Sequence, residues 1–304
     1  KKYYSSIKTK EQFYNFASFA HKIVEIDYES FLNKIKESIS NDYFAILFTE
    51  KKNNWFSQNE YCNIIFGIEK AVNKKEYITL AIETLAKLYT IKSDDTPNSP
   101  INTLKRIFLG WDNLTCLCYD EKIILLENII THYRQLGKKL LKDILPNTDL
   151  AWTLLTKPEY DIYDEPKKIK YLREQIQYFN QYYLLYINNY AEAIEDILPL
   201  YRKCYFVDMD CCEIVKNKTI ELLQNSTDEE KYSLKSIISE QIRGYKKFKN
   251  EAWNLTEREL NFLTDLNEKI KYENGIYDYI YLYNYLPLLD KSKLEIEKQK
   301  ALEL

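Results

Sequence analysis

The sequence predicts an all-α protein: an irregular α-solenoid of the HEAT or TPR kind with roughly a dozen helices, the alternative being a compact helical domain. Three observations carry this. Apolar residues recur at spacings of three and four along most of the chain of 304 residues. Capping-box signatures punctuate these stripes. Only 5 glycines and 7 prolines occur, whereas hairpin turns, Rossmann turns and phosphate-cradling loops depend on glycine. Neither GxGxxG nor GxxxxGK[ST] is present, so nucleotide-binding loops of those types are excluded.

Taken in order, Thr9 and Gln12 form a capping box ahead of Phe13, Phe16, Phe19 and Ala20. Asp27 caps a second helix whose apolar face is Phe31, Leu32, Ile35 and Ile39. Ser57/Glu60 and Asn73/Glu76 are further boxes, opening helices over 58–72 and 75–90. With almost no loop between them, these two must form a helical hairpin. Ser99 and Pro100 then read as cap and first position of a short helix. Ile101, Leu104, Ile107 and Phe108 share one of its faces, Leu109 follows, and Gly110 is expected to end it in the left-handed conformation before the anchor Trp111. Asp120 is expected to cap a helix with the stripe Ile123, Leu126, Ile129, Ile130 and Tyr133, which Gly137 ends or kinks.

The loop KPEYDIYDEP, 157–166, has two prolines and four acids. It separates an N-terminal part, 1–156, from a C-terminal part, 157–304, read as continuous with the first in one helical stack. After it come an aromatic helix over 167–187 and a helix over 190–198 that Pro199 ends or kinks. A short helix follows over 214–223. Ser226/Glu229 and Thr256/Glu259 box the helices 227–247 and 257–270. Tyr277, Tyr279, Tyr281, Tyr283 and Tyr285 alternate strictly, which is the period of a strand. A lone strand has little stability, so the stretch is expected to be helical. These five tyrosines are the candidate partner-binding residues, because tyrosine offers large contact area and a hydroxyl at low entropic cost.

Lys plus Arg number 43 and Asp plus Glu 46, a net charge of -3. This argues against a nucleic-acid partner, which calls for a basic excess. Lys246, Lys247 and Lys249 beside Tyr245 and Phe248 read as a solvated helix end rather than a strand-binding platform. Asp208, Asp210 and Glu213 read as acids at a helix N-terminus rather than a cation site. Six cysteines, spaced C-x-C and C-C, fit thiols of a cytosolic protein rather than a disulfide framework or zinc site. The two histidines, His21 and His132, are distant in sequence, and no Ser-His-Asp or Cys-His site can be assembled around them. No catalytic residue, cofactor or metal ligand is therefore assigned. No run of 18 apolar residues crosses a membrane. The start at Lys1-Lys2 suggests a segment of a longer protein.

Two blocks carry a family resemblance. The first comprises Leu47-Phe-x-Glu50, the helix pair 58–90, and Asn98-Ser-Pro-x-Asn-x-Leu-x-x-Ile-Phe-Leu-x-Trp111. The second is Arg243-x-Tyr-x-x-Phe-x-x-x-x-Trp253-x-Leu with Leu260. Together they resemble the C-terminal helical region of large bacterial ATP-binding defence proteins, the antiviral STAND-type NTPases and their relatives. The resemblance covers about 45–290 and implies a non-enzymatic sensor or scaffold, cytoplasmic, attached to the rest of a longer chain. Its expected partner is a protein, such as a phage component. The competing reading is an enzymatic effector, for example a nuclease.

Overall fold

The computed structural model describes residues 2–49, 60–93, 98–110, 114–145, 172–202, 209–247 and 257–285. Among them are sixteen α-helices, one 3-10 turn and no strand. The chain divides into two compact units, Lys1–Tyr178 and Phe179–Leu304. The acidic loop 157–166 lies outside the described residues.

In the first unit the helices are α1 (Lys2–Ser5), α2 (Lys10–Ser18), α3 (Ala20–Ile23), α4 (Tyr28–Ser40), α5 (Ala45–Thr49), α6 (Glu60–Val72), α7 (Ile78–Tyr89), α8 (Pro100–Ile107), α9 (Tyr119–His132) and α10 (Arg134–Ile144). Helix α6 touches α2, α3, α7 and α8, and α7 touches α4, α8 and α9. Later helices thus pack on earlier ones along the unit, an order compatible with an irregular solenoid. An aromatic cluster fills the first layer: the Phe13 ring lies 4.9 Å from Phe44, and Phe16 lies 5.7 Å from Phe31.

The caps show which local signals prevail. Thr9 and Gln12 form the expected box, with the Gln12 N–H donating to Thr9 Oγ1 at 3.2 Å and the Thr9 N–H to Gln12 Oε1 at 3.1 Å. Asp27 caps α4 by accepting from the Ser30 N–H at 2.9 Å. Other expected caps are displaced. Asn73 does not cap α7; it is buried, and its Nδ2 donates to the Glu69 carbonyl at 2.8 Å, closing α6 instead. The α6–α7 hairpin forms all the same, across the five residues 73–77. Cys118, not Asp120, is the N-cap of α9, and Glu121 accepts from the Cys118 N–H at 2.8 Å. Glycine is not the terminator either. Helix α8 ends at Ile107 with Phe108 as its C-cap, and no described glycine has positive φ. Gly137 sits inside α10, whose break from α9 falls at Tyr133 (φ -135, ψ 62). Burial of Leu136, Leu140 and Leu141 keeps α10 helical through the glycine.

The cap at Glu121 predicts a pH dependence. The Cys118 N–H, and then Lys75, hold this carboxyl down to about 2. Its contribution to stability is complete above the unfolded-state value and is lost as pH falls from there towards about 2. Glu121→Ala should therefore flatten the acid loss of stability in that window. Parallel curves for the two proteins would contradict this.

Gly67, in the middle of α6, is closely approached by both α3 and α4. A Cβ there would lie 2.7 Å from Phe31 Cζ and 3.2 Å from the Ala20 carbonyl oxygen. Gly67→Ala is expected to destabilise: overpacking costs about 1–3 kcal/mol, outweighing the gain of about 1 kcal/mol in helix propensity. Gly244, on a surface with nothing within 4 Å of its added Cβ, should instead gain about 0.5–1 kcal/mol as alanine. Thermal midpoints moving in the same direction for both variants would refute the packing account.

In the second unit, the latter part of α11 (Leu172–Tyr190) is followed by α12 (Ile194–Arg202), α13 (Met209–Leu223), α14 (Asp228–Lys247), α15 (Glu257–Lys269) and α16 (Gly275–Tyr285). The long α14 touches α12, α15 and α16. Tyrosine supplies much of the core, with Tyr182, Tyr183, Tyr186 and Tyr201 at most 1% exposed. Their hydroxyls are used where the chain offers acceptors. Tyr186 donates to the Asp196 carbonyl at 2.9 Å, and Tyr201 meets Thr219 Oγ1 at 2.6 Å. Pro199 does not end its helix. Leu200 and Tyr201, beyond it, are fully buried, which outweighs a cost of about 3 kcal/mol for an internal proline. The box opening α14 is Thr227/Glu230 rather than Ser226/Glu229, with the Thr227 N–H donating to Glu230 at 2.7 Å. Ser226 instead donates its hydroxyl to the Leu222 carbonyl at 2.7 Å, at the end of α13. Ser57 and Thr256 lie outside the described residues.

Candidate functional site

The motif around α8 is built into the frame. Asn98 Nδ2 reaches Cys62 Sγ at 3.6 Å, and Ser99 accepts from the Asn102 N–H at 3.4 Å ahead of Pro100. Leu104, Ile107 and Phe108 are 0% exposed and Leu109 is 6% exposed. Glu69 of α6, 1% exposed, accepts from Thr103 at 2.9 Å and is paired with Arg106. Lys105 pairs with Asp143 of α10 at 2.8 Å, and the buried Lys122 of α9 donates to the Leu109 carbonyl at 3.3 Å. The motif thus ties α8 to α6, α9 and α10, and its polar side chains are engaged within the fold. Trp111 and Trp253 lie outside the described residues.

The tyrosine stretch forms helix α16, and helical geometry sorts its alternation into faces. Tyr277 and Tyr281, four apart, turn inward. Tyr281 Oη meets Ser239 Oγ of α14 at 2.5 Å and accepts from Asn267 Nδ2 of α15 at 3.3 Å. Tyr277 packs at 5.8 Å from Tyr272 and 6.1 Å from Tyr232. Lys235, buried, lies 4.8 Å from the Tyr272 ring and 4.5 Å from the Tyr281 ring, and donates to the Ile270 carbonyl at 3.2 Å. Burial pushes the Tyr272 hydroxyl well above the usual phenol range. Tyr279 turns outward at 53% exposed, between Ile276 at 56% and Ile280 at 38%. The side chains of Tyr283 and Tyr285 lie outside the described residues.

The loop before α16 is held by one carboxylate. Asp228, at the start of α14, accepts from the Glu273 N–H at 3.0 Å and the Asn274 N–H at 2.7 Å. These bonds, the Glu273 N–H foremost, hold its carboxyl below the usual range. Asn274 then accepts from the Ile276 N–H at 3.1 Å and opens α16.

Beside this loop is a cleft of about 280 Å³ lined by Ile220, Leu223 and Gln224 of α13, Lys231 of α14, and Lys269, Ile270 and Lys271. No sequence signal marks it, because Lys231 joins Lys269 and Lys271, which are two residues apart at the end of α15, only when α14 packs against α15.

The other candidates fall as follows. His132 is exposed at the end of α9, its Nδ1 2.9 Å from the Asn128 carbonyl. Asp208 lies outside the described residues, and Glu213 faces Lys216 at 3.8 Å. Among the described residues no group of three His, Cys, Asp or Glu side chains is placed to hold a metal. Five described cysteines are free thiols. Tyr245 is buried, Lys247 is exposed, and Phe248 and Lys249 lie outside the described residues. No described helix is long and apolar enough to cross a membrane. Comparison with protein-family models, with curated proteins and with solved structures finds no match to this chain.

Proposed function

We propose that this chain is a cytoplasmic helical sensor or scaffold module of a larger prokaryotic antiviral defence protein. It binds a protein partner, a phage component, through the outer face of α16, and itself catalyses no reaction. The observation that carries the reading is the apolar stripe Ile276, Tyr279 and Ile280, exposed on a helix whose inner face is fastened by Tyr277 and Tyr281. A rigid helix presenting an aliphatic and aromatic stripe at i, i+3 and i+4 is suited to helix-in-groove recognition. The resemblance of the two sequence blocks to STAND-type sensor regions supplies the kind of protein and partner.

The test begins with the tagged chain in phage-infected cells. A retained phage protein is identified, purified separately and titrated against the chain by calorimetry. Ile276→Ser combined with Tyr279→Ala is expected to weaken binding by about 30-fold or more, the loss of one interface hot spot, with helicity unchanged. Equal affinity of the variant would remove α16 from the proposal. Recovery of nucleic acid alone, or nucleotide turnover by the purified chain, would overturn the reading.

A further inference from the structure

We infer that the lysine-lined cleft between α13, α14 and α15 is a binding site for a small ligand with an oxyanion head and an apolar body. This goes beyond the proposed partner-binding role and does not rest on it.

The lining divides into two chemistries. Ile220, Leu223 and Ile270 form an apolar wall, and Lys231, Lys269 and Lys271 supply three ammonium groups. The volume, about 280 Å³, is near the lower end of the range for small-molecule pockets. Lys231 is the informative residue. It is 7% exposed, and a buried ammonium needs close acceptors. Its carboxylate contacts are long, 3.5 Å to Asp228 and 3.4 Å to Glu273, against about 2.7–2.9 Å for a charge-assisted hydrogen bond. Asp228 is also committed to the backbone of Glu273 and Asn274. The Glu273 side chain is 87% exposed, so its carboxylate can swing into solvent and yield its place.

Among the described residues that line the cleft none is acidic; Asp228, Glu273 and Asp265 stand beside its lysines from outside the lining. Asp265 is engaged by Lys216 as well as by Lys269, the latter at 3.2 Å. Among the described residues Lys271 forms no ion pair. Nor are the lysines needed to satisfy the end of α13. The carbonyls of Glu221, Leu222 and Leu223 already receive the N–H groups of Gln224, Asn225 and Ser226. A carboxylate or phosphate head would therefore dock on Lys231, displacing Glu273, while Lys269 and Lys271 add charge at the mouth. The body of the ligand would lie on Ile220, Leu223 and Ile270.

The test is calorimetry on the whole chain with three probes of one shape: phenyl phosphate, benzoate and neutral benzyl alcohol. One equivalent of at least one anion is expected to bind, more weakly as salt rises, and the alcohol is not. Phenyl phosphate and benzoate together show which head the site prefers. Lys231→Gln should lose about tenfold in affinity. Because Lys231 is buried and its loss can unfold the unit, two exposed positions carry the decision. Glu273→Gln should bind the anion several-fold more tightly, and Lys271→Gln more weakly. Binding of the alcohol as tight as that of the anions would overturn the inference. So would unchanged or weaker affinity in Glu273→Gln, or an absence of anion binding in both the wild type and Glu273→Gln.

Discussion

Phe108→Ala is expected to lower the stability of the first unit by about 3–5 kcal/mol, the cost of emptying a fully packed phenylalanine site. Phe108 is 0% exposed and closes α8 as its C-cap, with its N–H on the Leu104 carbonyl at 3.0 Å. Helix α8 has only eight residues, too few to persist without packing. Its stripe of Ile101, Leu104 and Ile107 is completed by this ring, so the cavity cannot be refilled without moving the helix. The measurement is the denaturant midpoint, read at constant slope so that it reports stability alone. Ile107→Val is the scale beside it, at about 0.5–1.5 kcal/mol. A loss below that scale for Phe108→Ala would mean that α8 is not held by its apolar face.

Arg106→Ala should cost a similar amount, about 3–5 kcal/mol, by a different route. Its guanidinium faces Glu69, whose side chain is 1% exposed, and also contacts Thr103 Oγ1 at 3.0 Å. Removing the cation leaves a carboxylate buried with the Thr103 hydroxyl as its neighbour in α8. The expected loss is the penalty of keeping that carboxylate buried without its Arg106 partner, not the net worth of the pair. The double replacement Arg106→Met with Glu69→Leu should therefore recover most of the stability, since apolar residues of similar volume commonly substitute for a buried ion pair at little cost. A double variant as unstable as Arg106→Ala would show that the polar network is itself indispensable. The pair Lys70–Glu25, at 2.8 Å with side chains 0% and 5% exposed, is a second place where the same reasoning applies.

The sequence by itself determined the helical class, the apolar faces and the caps formed by Thr9, Asp27 and Ser99. These depend on spacing within one turn and on side chains that reach their own backbone. It also identified 277–285 as a helix despite its two-residue period. Competing caps were decided locally, by a rival carbonyl four residues back at the end of the preceding helix. Asn73 and Ser226 carry the same chemistry as the caps that formed, but each sits where the preceding helix offers a carbonyl to donate to. Gly137 and Pro199 are local breakers overruled by the buried residues beyond them. The division of α16 into a fastened face and an exposed one follows from where Ser239 and Asn267 stand on other helices. The cleft is the extreme case: Lys231, Lys269 and Lys271 are ordinary surface-type residues in sequence. Only the packing of α14 against α15 brings Lys231 to the wall that Lys269 and Lys271 already share, and buries it there.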